Sequence, residues 1–320
     1  MPAAIGTAVV TRATIVHLLL AVAWVLAIDG SVASAQDRED TPAPLPGPVV
    51  LQLPSSARTA ALAGAWVAGR DHDVIFHNPA QLVGNTRAGV DLSLIRYGPA
   101  STSKSLASSV AAGKWSATLG WGVQLVDFDR DAAGYPRAVD VLLGDAPSNG
   151  TGALLAVGGA ILFKGVRAGI AGKYLSELDR HALVADVGVA RNQLGGVLAF
   201  AVQNLGGGSA DDDEANADIP TQFTYGYSLS RPAGVLDVGL FTQVTHRDGW
   251  AAPAAGVEVG YGWIEGFNVV LRAGIRRPER DVQQPVTLGA GITGDRLTIE
   301  YAVQFFDGGR AANGVTVRWR

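Results

Sequence analysis

Outside the first 35 residues the chain has four histidines, His72, His77, His181 and His246, and none sits in a recognisable Ser/His motif. Nucleophilic catalysis needs a base within reach of the nucleophile, so no enzyme activity is expected. Asp71-His72-Asp73 with His77 offers carboxylate and imidazole donors that a divalent cation would accept. Such short clusters in polar turns usually bind nothing, and no metal or other cofactor is expected. Asp211-Asp212-Asp213-Glu214 has the oxygens that calcium prefers. It lacks the ligand spacing of a calcium loop and reads as a solvated, self-repelling segment.

A third set of charges is dispersed. Arg167, Lys173, Asp186, Asp237, Arg272, Arg276, Arg296, Glu300 and Arg318 fall on the polar faces of alternating segments. Ionisable groups at membrane depth face a cavity and pair with one another. These nine would either line a route for an anionic head group or neutralise each other inside a lumen.

The elements that must position them are strands. From Arg296 to Phe305, Leu297, Ile299, Tyr301, Val303 and Phe305 alternate with Arg296, Thr298, Glu300, Ala302 and Gln304. Segments 221–230 and 267–276 behave the same way. Bulky apolar faces set against glycine, threonine, glutamine and arginine suit lipid outside and a polar interior. About fourteen strands are read, beginning near residues 87, 104, 115, 150, 166, 181, 196, 221, 235, 254, 267, 285, 296 and 313. The connections alternate between tight turns, such as Lys164-Gly165, and longer polar loops, notably 129–149, 205–220, 246–253 and 277–284. The expected fold is therefore all-β: a transmembrane antiparallel β-barrel over residues 87–320.

Composition agrees. Charged residues are only 17% of the 320 and glycines number 41, against roughly 25% and 7% in soluble domains. Without a single cysteine, disulfide scaffolds and thiolate metal sites are excluded. A net charge of -4 with no basic cluster gives no reason to expect nucleic acid. Residues 1–35 read as a secretory signal peptide: Arg12, an apolar run from Ile15 to Ile28, then Ala33-Ser34-Ala35 as the cleavage pattern. Residues 36–50 read as a proline-rich periplasmic lead-in. The expected location is the outer membrane after cleavage near Ala35, with the bilayer and the barrel-assembly machinery as partners.

Residues 51–86 do not alternate and precede the first strand, so they are expected to form a hatch that either covers the periplasmic mouth of the barrel or fills its lumen. Within them Ser56-Ala57-Arg58, Ala60, Gly64-Ala65, Val67-Ala68, Asp71, Asn78-Pro79-Ala80 and Leu82 resemble the N-terminal hatch of the FadL/TodX-type transport proteins and the related PorV/PorQ group. Gly172-Lys173-Tyr174-Leu175, Asp186-Val187-Gly188 and Gln203-Asn204-Leu205-Gly206 resemble the PorV-like middle section. Ala63 departs from the pattern, standing where a glycine is usual. The resemblance implies a hatch motif carried by Gly64, Asp71, Asn78, Pro79 and Ala80. It implies one of two functions. In the PorV/PorQ branch, the protein is type IX secretion-associated and holds secreted proteins by their C-terminal signal domains. In the FadL branch, the barrel takes up long-chain fatty acids or other hydrophobic compounds, passing them through the wall beside the hatch. A structural barrel without transport is the third reading. Independently of the resemblance, Gly169, Gly188, Gly226, Gly239 and Gly274 on strand faces leave room for a plug.

Overall fold

The computed structural model describes residues 48–85, 88–97, 101–112, 116–129, 149–177, 180–206, 219–247, 249–278, 283–306 and 309–320. The segment expected to be a signal peptide, most of the expected lead-in and the Asp211–Glu214 cluster lie outside the described residues.

Fourteen antiparallel strands close into a barrel in simple sequential order, β1 pairing with β14. They are β1 Gly89–Arg96, β2 Thr102–Ala112, β3 Ala117–Asp129, β4 Asn149–Phe163, β5 Val166–Glu177, β6 Arg180–Gln193 and β7 Gly196–Leu205. The second half is β8 Gln222–Ala233, β9 Leu236–Arg247, β10 Trp250–Ile264, β11 Phe267–Arg276, β12 Gln283–Thr293, β13 Leu297–Phe306 and β14 Arg310–Trp319. Each begins within four residues of its sequence-read start. Closure removes the sheet edges, which is what allows backbone polar groups to survive in lipid. Outward positions carry exposed Leu92, Leu155, Ile170, Leu271, Ile299 and Val317, an apolar band. No helix of the described residues is long and apolar enough to cross a membrane.

One rim is built of tight turns. At Lys164-Gly165 and Leu194-Gly195 both central residues have positive φ (49° and 80°, 50° and 79°). That backbone matches the twist of the flanking strands. The opposite rim carries the longer connections, with one correction. Residues 246–253 are not a loop, because β9 runs to Arg247 and β10 starts at Trp250, leaving a two-residue connection. The polar residues there belong to two paired strands, Trp250 lying opposite Arg247.

The lumen is filled by residues 48–85. Helix α1 (Val49–Gln52) and helix α2 (Ala57–Ala61) are followed by 3-10 turns at His72–Phe76 and Pro79–Gly84. The filling starts earlier than the sequence reading placed it. Val49 and Val50, assigned there to the lead-in, are buried, and their N–H groups donate to the carboxylate of Glu177 near the loop rim. Nor is the interior polar throughout. Toward the loop rim the inward positions Ile95, Val126, Leu154, Leu175, Val184 and Phe306 form one apolar cluster with Val49, Val50 and Leu53. The start of the chain inside the barrel is hydrophobic, so the wall facing it is too.

Candidate functional site

The hatch is seated where wall glycines let backbone approach. A Cβ at Gly169 would overlap the Pro79–Ala80 peptide, one at Gly188 the Asn78 side chain, one at Gly226 Val67, and one at Gly274 the Leu62–Ala63 peptide. Gly239, expected to do the same, faces Phe241 and Glu258 instead. Gly256 against Leu62 and Gly289 against Ala61 take its place.

Asn78 caps the second 3-10 turn. Its Oδ1 accepts from Ala80 N (3.1 Å), while Nδ2 donates to Val67 O (3.0 Å). Pro79, at the first position of that turn, needs no N–H partner there. Ala63 and Gly64 follow α2 with φ of 55° and 84°, reversing the chain toward Trp66.

Asp71 and Asp73, adjacent in sequence but for one residue, do different work. Asp73 is buried and accepts from Ser55 (3.0 Å), Ser56 (2.7 Å), Thr59 (2.9 Å) and Trp66 Nε1 (2.9 Å), tying the two ends of the hatch together. Asp71 joins an ion network with Arg58 (2.8 Å), Arg318 (2.9 Å) and Arg320 (2.6 Å). Burial alone would raise its carboxyl, but Arg318, Arg58 and Arg320 hold it well below the usual carboxylate range. Arg318 also pairs with Asp91 (2.7 Å) and Glu300 (3.2 Å). Arg272 pairs with Glu300 (2.8 Å) and Glu258 (2.5 Å), and Glu258 returns to Arg58. Four arginines thus meet four carboxylates, and the charges balance. The network fastens the hatch to β1, β10, β11, β13 and β14.

The remaining inward charges separate. Lys173 and Asp186 form a buried pair at 2.5 Å. Arg167 donates to two neutral amides, Gln81 Oε1 and Asn192 Oδ1, both at 2.7 Å. Arg276 is half-buried on the loop-rim side, whereas Asp237 is exposed near the turn rim. Arg296 is not a lumen-wall residue. It lies in the turn between β12 and β13, exposed, because β13 begins only at Leu297.

His72 Nδ1 meets Ser109 Oγ at 2.6 Å, and His77 Nε2 meets Ser55 Oγ at 2.8 Å. Burial pushes His72 down to about 4 and lowers His77 as well. Both are therefore neutral at pH 7. Asp71 and Asp73 point to different partners, and among the described residues no group of three or more acidic or histidine side chains is placed to hold a metal ion.

Opposite the ion network the hatch is held lightly, and two cavities flank it. A cleft of about 610 Å³ opens on the turn rim, with Trp66 and Phe241 at its base. A cavity of about 150 Å³ on the loop-rim side is lined by Leu53, Pro54, His77, Gln243, Thr245 and Pro253, among others. Phe241 and Gln243 are successive inward positions of β9, separated by roughly 7 Å. The barrier between the cavities is the reversed segment Leu62–Val67, held to this wall chiefly where Gln243 Oε1 accepts from Trp66 N (2.9 Å) and Val67 N (2.8 Å). Ser228 adds one bond to Ala68 O (3.1 Å).

The sequence reading missed Asp73 as a knot, Asp91, Glu258 and Arg320 as network members, and Gln243. The alternation of GVDLSLIR already places Asp91 opposite Val90 and Leu92. Nothing local distinguishes Gln243 from other inward polar residues.

No protein-family model and no curated protein sequence matches the chain. Solved structures do match in fold. The toluene transporter TbuX of Ralstonia pickettii aligns with a TM-score of 0.52 at 10% identity, over 87% of this chain and 99% of its own. The monoaromatic hydrocarbon channel CymD aligns with a TM-score of 0.51 at 9% identity, over 83% and 97%.

Proposed function

We propose that the protein is an outer-membrane channel for small hydrophobic molecules, with monoaromatic hydrocarbons the nearest substrate class, and that it performs no catalysis. The supporting observation is the thin, lightly held barrier between the two cavities along β8–β10. The substrate enters from the loop rim, where the inner wall is apolar, and leaves at the turn rim, which faces the periplasm in barrels of this construction. Displacing Leu62–Val67 by a few ångströms joins the cavities while the ion network keeps the rest of the hatch in place. The fold neighbours, named for toluene and monoaromatic hydrocarbons, agree with this substrate class. We further propose that a signal peptide cleaved near Ala35 and the barrel-assembly machinery deliver the chain to the membrane.

The test is whole-cell uptake of labelled toluene by a host lacking hydrocarbon channels. Expression of the protein raises uptake, and Gln243→Ala, which removes the acceptor holding Trp66 and Val67, raises it further. The type IX reading carried by the PorV/PorQ-like motifs predicts instead that secreted proteins with a shared C-terminal domain copurify and that toluene uptake stays at background.

A further inference from the structure

We propose that the turn-rim cleft is a binding site for a small organic carboxylate with an aromatic body. This goes beyond passage, because the site is formed with the hatch closed. The cleft presents charge of one sign. Arg70 and Arg231 line it, and no carboxylate does. Among the described residues neither has an ion pair, in contrast to the four arginines of the balanced network. Arg231 packs its guanidinium against Gly195 of the β6–β7 turn, where a Cβ would have no room. A third cation stands behind: Arg167 is buried, within electrostatic reach of Arg70, and its bonds go to neutral amides, one of them the lining residue Asn192.

The base of the cleft has the other half of the chemistry. Trp66 and Phe241 lie with ring centroids 5.5 Å apart. Arg58 stacks over Trp66 at 4.7 Å, its charge already committed to Glu258 and Asp71. A planar apolar body lies on the floor above these rings, which are themselves buried, while Ser230 and the guanidinium groups of Arg70 and Arg231 bind the carboxylate. Charge-assisted hydrogen bonds to guanidinium are the strong ones, and about 610 Å³ accommodates a ligand of this size.

Calorimetric titration of the purified full-length protein in detergent tests the site with three probes. Benzoate carries both features, benzyl alcohol the body without the charge, and inorganic phosphate the charge without the body. Benzoate binds once per chain and more weakly as salt is raised. Arg70→Gln and Arg231→Gln each weaken it about tenfold, and the Lys substitutions at both positions restore most of the affinity. Unchanged heat-modifiable gel mobility shows that the variants remain folded. Benzyl alcohol binding as tightly as benzoate would overturn the proposal, since the cleft would then be merely apolar. Phosphate binding as tightly would also overturn it, reassigning the arginines to free phosphate or a phospholipid head group. So would benzoate binding that is absent or indifferent to both glutamine variants. Equilibrium binding reads the cleft with the hatch closed, so its failure and a failure of toluene uptake are separate results.

Discussion

Ala63 occupies the left-handed region at φ 55°. A Cβ there costs about 1 kcal/mol relative to glycine. Ala63→Gly should therefore raise the stability of the seated hatch by roughly that amount, partly offset by the freer unfolded chain, as read from the denaturant midpoint of hatch opening. Asp73 acts in the opposite sense. Removing its carboxylate in Asp73→Ala takes the acceptor from four buried donors. Ser55 can turn to His77 and Ser56 to Thr59, which leaves Trp66 Nε1 and one hydroxyl unsatisfied at a cost of roughly 2–4 kcal/mol. The expected result is a barrel that still migrates as folded, with hatch amides that exchange rapidly. His72 contributes to the pH response. Its folded value of about 4 lies below the ordinary 6.5, so the unfolded chain takes up the extra proton. Stability is intact above pH 6.5 and declines as pH falls toward 4, by up to about 3 kcal/mol, with His77 adding in the same direction. Asp71 is held below its usual value and weakens the fold only at still lower pH. Hydrogen-exchange protection factors for residues 55–82, corrected for the slower base-catalysed chemistry at low pH, check this, with lower protection expected at pH 5 than at pH 7.5.

Plug and wall meet through strand glycines, and that contact can be broken from the wall. Gly169→Val puts a branched side chain where the Pro79–Ala80 peptide now lies, while Gly172→Val on the same strand meets nothing. Planar-bilayer conductance should rise for the first and stay at wild-type level for the second; equal conductance would mean that Gly169 does not seat the hatch. Strands were the most legible elements, since a period of two with bulky outward faces survives in every hairpin. The hatch was legible as an interruption of that period. Its contacts were less so. Gly169, Gly188, Gly226 and Gly274 could be picked out because a glycine inside a strand asks for a close neighbour, yet Gly239 asks equally and meets only side chains. The short β9–β10 connection was hidden because Arg247 and Trp250 are as polar or interfacial as loop residues.

At the scale of the whole molecule the hatch is fastened on one side and loose on the other. The ion network spans the closing seam of the barrel, joining β1, β13 and β14 to Asp71. On the β8–β9 side, among the described residues, Gln243 and Ser228 bond to the Trp66–Ala68 backbone. This asymmetry could not be read from the sequence, because parity places a charge in the lumen without saying which others share its depth. Parity also hid the apolar loop-rim half, whose inward residues look like ordinary core positions until Val49 and Val50 are seen against them. On the proposed route, passage requires Leu62–Val67 to leave the wall. The chain contains no cysteine, and the Cβ of Leu62 lies 2.9 Å from that of a side chain built at Gly256. A Leu62→Cys/Gly256→Cys pair, given slight adjustment toward disulfide geometry, ties the segment down reversibly. Toluene uptake by cells carrying this variant should fall to the level of cells without the protein when the pair is oxidised, and return on reduction. Uptake that is above background and identical in the two states would show that passage does not require this segment to move.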